Sequence, residues 1–302
     1  MKTIAMTGLS GVVGQQLFSA NTKLFSDYTL IDLYHHKRSI HSKLAACKLD
    51  LLETEQIFTT LSKLRPDIVI HLAAATHLDR CQGDKLLGKA GDVWKLNVDA
   101  TRAICRYCQE YGKKLIFLSS ECVFDGHQTS YQELDPPTPK SWYGVTKAVA
   151  EALLIPNPAD ISIVRGVVAY DIHGENTQTI FGRFKKLLQN NQPIKAVSDQ
   201  LFTPTYIPDL WKTIDLIIQT EMKGIFHVAQ RKPMTPYDFA VAIVTYFNWD
   251  VNLVKKTTLA ELFGKTRAEL RLKNACLDTK WTEETLGVRF QSLQKAMKLI
   301  KT

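Results

Sequence analysis

An α/β chain, with a doubly wound parallel sheet and a smaller C-terminal lobe, is what this 302-residue sequence predicts. Three observations carry the prediction. Strand-like and helix-length segments alternate through the first half, a glycine-rich turn follows the first strand, and the alternation loosens after Tyr170. Segments rich in β-branched and aliphatic residues recur at Thr3 to Thr7, Tyr28 to Asp32, Cys47 to Asp50, Ile68 to Ala73, Lys114 to Ser120 and Ile161 to Val168. Parallel strands are buried on both faces, so they read as short apolar runs with helices between them. Beyond Tyr170 the chain is punctuated by Pro193, Pro204, Pro208, Pro233 and Pro236, and Tyr237 to Phe247 and Thr258 to Phe263 read as short helices.

Composition bounds the function. Hydrophobic residues at 45% and charged residues at 23% are ordinary globular values. Apolar stretches such as Ile68 to Ala75, interrupted by His71, fall far short of the ~20 residues that span a bilayer, so no membrane partner is expected. Met1 to Gly8 runs from one lysine into a short strand, without a signal-peptide core and cleavage site, so a cytoplasmic protein is expected. Six cysteines are too sparse for a disulfide framework. The net charge, 38 − 30 = +8, suits a small polyanion; with no dense Lys/Arg run, no nucleic-acid partner is expected.

The turn Gly8-Leu9-Ser10-Gly11-Val12-Val13-Gly14 gives the first chemical reading. Glycines at this spacing, after a strand and before a helix, make a tight turn, let a pyrophosphate approach backbone N–H groups, and let helix pack on strand. This is the fingerprint of a Rossmann-type NAD(P)-binding domain, expected over 1–168 and 206–231, with a substrate lobe over 169–205 and 232–302. Asp32, 18 residues past Gly14, is close to the ~20 expected of a carboxylate that binds the adenosine ribose, which favours NAD slightly over NADP. The following His35-His36-Lys37-Arg38 could instead receive a 2′-phosphate, or form a solvated loop. Asp50 and Leu51 after the third strand are placed beside the adenine, and Ala73 and Ala74 after the fourth permit close approach.

Tyr143-Gly144-Val145-Thr146-Lys147 sets a phenol and an ammonium four residues apart, on one helical face. A nearby cation favours phenolate, so Lys147, helped by the cationic nicotinamide ring of an oxidised cofactor, is expected to lower the Tyr143 pKa and make it a usable acid and base. A Y-x-x-x-K pair alone is common by chance. Here it follows a fifth strand ending in Ser119-Ser120, where a hydroxyl can hold a carbonyl oxygen.

Together these residues resemble the extended short-chain dehydrogenase/reductase superfamily and, within it, the dTDP-4-dehydrorhamnose reductase family. The resemblance also runs through Arg65-Pro66-Asp67, Ser119 to Gly126, Tyr131, Glu133, Asp135, Pro139, Asp199-Gln200, Pro204-Thr205, Gly224 to His227 and Arg271 to Asp278. It implies a Ser120, Tyr143 and Lys147 triad, Asn97 supporting the site or cofactor, and Thr76, Glu121, Cys122 and Val168 near the substrate. Where the family has S-T-D-Y-V-F, this chain has Ser119-Ser120-Glu121-Cys122-Val123-Phe124, and Val168 stands where rhamnose enzymes have tryptophan. An extra segment, Gln82 to Gly91, follows Asp79. The tail also resembles the non-catalytic β subunit of methionine adenosyltransferase.

The expected function is NAD(P)-dependent reduction of a keto-sugar nucleotide, with a nucleotide-sugar partner and a homodimer. The alternatives are a cofactor-binding regulatory subunit and a sugar-nucleotide epimerase or dehydratase. No metal is expected. Cys105 and Cys108 read as core thiols, His71 as a core histidine, and Arg183, Lys185 and Lys186 as a solvated helix face.

Overall fold

The computed structural model describes residues 1–17, 24–39, 44–157, 159–172 and 176–300. Its contacts divide the chain into two compact units. The first comprises 1–123, 141–165 and 214–226, and the second 124–140, 166–213 and 227–302. Segment 124–140 thus packs with the second unit, although the sequence-based boundary at 168 groups it with the first. Its Tyr131 bridges Leu277 and stacks on Phe124 at 4.1 Å.

The first six strands are β1 (Lys2–Thr7), β2 (Tyr28–Tyr34), β3 (Ala45–Lys48), β4 (Ile68–His71), β5 (Lys114–Ser120) and β6 (Asp160–Gly166). Two short strands follow, β7 (Ile194–Val197) and β8 (Leu201–Phe202), and then β9 (Gly224–Val228). Seven of these form one parallel, Rossmann-like sheet in the order β3-β2-β1-β4-β5-β6-β9. β9 was not expected from periodicity, since Gly224 and His227 interrupt its short apolar run. β2 runs two residues past Asp32, because Leu33 and Tyr34 pair with Cys47 and Lys48 of β3. Asp32 is therefore inside a strand rather than at its end.

The core cluster of the first unit is built from one face of these strands and from amphipathic helices. Ala5, Val69, Leu115, Phe117 and Ile163 pack with Ile57 and Leu61 of the helix Thr54–Leu64 and Ile104 and Tyr107 of Ala100–Glu110. Cys105 and Cys108 lie in this core, where burial pushes both thiols up. The helix Trp142–Leu154 is capped by Ser141, whose Oγ accepts the Gly144 N–H at 3.1 Å, and by Gln82 Oε1, which accepts the Trp142 N–H at 3.1 Å. Thus a residue of the extra segment anchors the helix that carries Tyr143.

In the second unit, β7 pairs in parallel with β10 (Val254–Thr257), and β8 with β11 (Asn274–Ala275). Tyr170, Phe181, Phe202 and Phe239 form its aromatic centre, with Tyr170 edge-on to Phe239 at 5.4 Å. Helices Pro236–Tyr246 and Leu259–Phe263 begin at capping boxes, on Thr235 with Asp238 and on Thr258 with Glu261. No helix among the described residues is long and apolar enough to cross a membrane.

One buried ion pair fixes Trp142–Leu154 to the sheet. Arg165 of β6 donates from Nε to Glu151 Oε1 at 3.0 Å and from Nη2 to Oε2 at 2.6 Å, with the side chains 1% and 0% exposed. Removing one partner strands a buried charge. Glu151→Ala should therefore lower the unfolding free energy by about 3–5 kcal/mol in a urea titration, while Glu151→Leu with Arg165→Met recovers most of the loss.

Candidate active site

A cleft of about 560 Å³ runs along the carboxyl ends of β1 to β5, where open α/β sheets bind ligands. Of the expected cofactor residues, Gly8, Ser10, Gly11, Val12, Val13, Asp50, Leu51, Ala73 and Ala74 line it, and so does Thr76, expected near substrate. Gly8 has φ 76°, and a Cβ there would lie 2.6 Å from Ala73 N. The turn thus presses its backbone on the β4 loop. A Cβ on Gly14 would lie 2.4 Å from Leu9 Cα, so Gly14 serves close packing behind the cleft.

Asp32 does not line the cleft. It is buried, and its Oδ2 accepts the Ser39 N–H at 2.7 Å. Burial raises its pKa, opposed by that bond and by Arg38. The cleft edge on this side is formed by His35 and His36, with ring centroids 3.6 Å apart, and by Asp50, whose Oδ2 is 3.3 Å from His35 Nε2. The sequence flagged these histidines only as part of a cation cluster.

Asn97 sits in a π-helical turn, Lys95–Asp99, and both its polar atoms are used internally. Oδ1 accepts the Ala75 N–H at 2.8 Å, while Nδ2 donates to Ala75 O at 3.1 Å and to Thr146 Oγ1 at 2.9 Å. It ties the cleft wall to the Tyr143 helix.

At the end of β5 the chain enters a 3₁₀ turn, Glu121–Val123. Ser120 Oγ donates to Glu121 Oε2 at 2.5 Å and accepts the Cys122 N–H at 3.2 Å. Tyr143 faces this turn. Burial holds its phenol well above the ordinary range, Cys122 and Glu121 push the same way, and a hydrogen bond with Ser120 opposes them.

Among the protein's own groups, Lys147 is not one that moves the Tyr143 pKa, and the net shift is upward. Its Nζ donates to Leu118 O at 2.6 Å, 3.8 Å from the Phe117 ring centroid, and burial brings it down to about 7 against the opposing field of Glu151. Its anchor is a backbone carbonyl, which no residue pattern reports. Leu118 itself lines the cleft. His71 is a buried neutral imidazole, its Nδ1 2.7 Å from Thr7 Oγ1, and burial brings it down to about 3.

Cys122 is buried in the first unit, whereas Val168 belongs to the second, where it is 43% exposed with φ 27°. That exposure leaves space for a larger side chain, but a non-glycine residue at positive φ is strained.

The chain is similar over most or all of its length to known proteins. It is 25% identical over 295 residues to the probable low-salt glycan biosynthesis reductase Agl14 of Haloferax volcanii, covering 96% of this chain and 94% of that protein. It is 27% identical over 247 residues to methionine adenosyltransferase 2 subunit beta of Rattus norvegicus, covering 80% and 71%. The crystal structure of dTDP-4-dehydrorhamnose reductase from Bacillus anthracis in complex with NADP superposes with a TM-score of 0.81 at 25% identity, covering 99% and 98%. NAD(P)-dependent reductases of the extended short-chain dehydrogenase/reductase type are thus among its homologues and structural neighbours. Matched over residues 1–301 by the family described as RmlD substrate binding domain, the chain belongs to that family of dTDP-4-dehydrorhamnose reductase-like sugar-nucleotide enzymes.

Proposed function

We propose that this protein reduces a keto-sugar nucleotide with NADH or NADPH, the first unit binding the dinucleotide and the second contributing the substrate lobe. The observation that carries the reading is a glycine-turn cleft at the carboxyl ends of the strands, with Lys147 bonded to the carbonyl of its lining residue Leu118 and Ser120 and Tyr143 in contact at the end of the same strand, although the three side chains do not themselves line the cleft. The cleft fits a dinucleotide. Its walls at Gly8, Ala73 and Ala74 are backbone and methyl groups, and a Cβ on Gly8 would collide with the β4 loop that shapes it.

When bound, the dinucleotide supplies the hydride. The chain holds and protonates the substrate. Ser120 holds the ring carbonyl oxygen and Tyr143 gives that oxygen a proton. The raised pKa of Tyr143 keeps the phenol protonated at neutral pH, the state a reduction needs. Lys147, poised beside Leu118 at the cleft, takes the ribose hydroxyls. Glu121 and Cys122, in place of the family's aspartate and tyrosine, support a sugar other than the rhamnose precursor. The likeness to methionine adenosyltransferase 2 subunit beta supports a second reading, a dinucleotide-binding subunit without turnover.

Adding dTDP- or UDP-keto sugars to protein with bound NADPH or NADH separates the two. Oxidation of the cofactor supports the reductase; binding without oxidation supports the subunit. Tyr143→Phe should keep cofactor affinity and lose about 10²–10⁴-fold in turnover, and activity within a few-fold of wild type would remove Tyr143 from the acid role. Because Asp32 is engaged by Ser39, Asp32→Ala should weaken NADH and NADPH alike in a fluorescence titration; a loss confined to NADH would show direct ribose contact. Lys147 is neutral above about pH 7 in the free protein, so binding there must take up a proton. Cofactor affinity should fall with rising pH above about 7, and Lys147→Met should abolish that slope in calorimetric titrations.

A further inference from the structure

Ser120 has one hydrogen and two claims on it. Its Oγ–H points at Glu121 Oε2, 2.5 Å away, while its oxygen accepts the Cys122 amide and lies in hydrogen-bond contact with the Tyr143 hydroxyl. Engaged in this way, the hydroxyl has no hydrogen to offer an incoming carbonyl oxygen, which is itself an acceptor. The triad serine is therefore set to repel the atom it has to hold.

The state of Glu121 reverses this. A carboxylate can only accept, so it keeps the serine hydrogen. A carboxylic acid donates its own hydrogen to Ser120 Oγ and frees the serine hydrogen for the next acceptor. Glu121 is buried, and the groups that face it are the Ser120 hydroxyl and the Cys122 amide and thiol on its own turn. From the packed helix Trp142–Leu154 it is faced by Tyr143, next to which lies Cys81 of the helix Leu78–Asp84. The Lys147 ammonium on the same helix is directed at Leu118 O.

We propose that Glu121 is a positioning residue that acts through Ser120: protonated, it donates to Ser120 and sets the serine hydrogen on the substrate's carbonyl oxygen; ionised, it withdraws that hydrogen. The proposal rests on the reductase reading and deepens it. The protons balance simply. The Glu121 proton stays on Glu121, the Ser120 proton stays on Ser120, and the proton that reaches the substrate oxygen comes from Tyr143. Burial favours the protonated carboxyl, since it disfavours the charge. A neutral Glu121 also relieves Tyr143 of a neighbouring negative charge as the phenol gives up its proton.

The active form thus lies on the acid side, and kcat/KM for the sugar falls as pH rises through the raised Glu121 pKa. The test compares this profile, at saturating cofactor, in wild type and Glu121→Gln. The glutamine amide can donate to Ser120 at every pH, so the variant should lose no more than about ten-fold at acid pH and should lack the alkaline fall. A fall of unchanged position in Glu121→Gln overturns the proposal, because a merely structural Glu121 would leave it in place. Isotope-edited infrared spectroscopy of labelled glutamate supplies a readout that needs no turnover. A protonated-carboxyl band should be present at acid pH, vanish in Glu121→Gln and shift in Ser120→Ala. Its absence from wild type, or its indifference to Ser120→Ala, defeats the proposal whatever the activity. A band that moves with Ser120→Ala in a protein that reduces no keto sugar defeats the reductase reading and leaves the coupling of Glu121 to Ser120 standing.

Discussion

Both oxygens of the Glu151 carboxylate are spent on the Arg165 guanidinium, in a place water does not reach, and the site hangs from that contact. Glu151 is one turn beyond Lys147 and two beyond Tyr143 on the same helix, so its tie to β6 fixes the distance of both from the end of β5. The carboxylate also supplies the field that opposes loss of the Lys147 proton. A hydrophobic pair could hold the helix as firmly, but would deprive that lysine of the negative charge that opposes its burial.

A second tie works from the other side. Asn97 accepts from and donates to Ala75, and donates to Thr146, so the cleft wall after β4 and the face of the Tyr143 helix share one amide. Asn97 thus shapes the cleft through the backbone it positions. The π-helical turn that presents it departs from regular helix where the side chain must reach two elements at once.

The electrostatics follow from burial. Tyr143, Glu121, Lys147 and His71 are each moved toward their neutral form, because a low-dielectric surround penalises charge of either sign. The site is thereby a set of groups biased toward their neutral forms, in which the direction of each donor and acceptor matters. In such a place a 2.5 Å contact between Ser120 and Glu121 decides which oxygen receives a hydrogen.

The sequence alone determined what is local and periodic. The strand-helix alternation, the Gly8 to Gly14 turn and the four-residue step from Tyr143 to Lys147 are properties of short stretches, written in residue types that steric and helical geometry demand. β9 was illegible because its run is short and broken, and the grouping of 124–140 because contacts such as Tyr131 with Leu277 span over a hundred residues. Only the tertiary structure decided that Asp32 serves Ser39, that Lys147 is anchored on a carbonyl, and that Arg165 is a buried partner of Glu151. Each of those depends on which backbone group or distant side chain arrives beside a polar atom as it leaves water, and a buried polar atom takes the partner that packing brings to it.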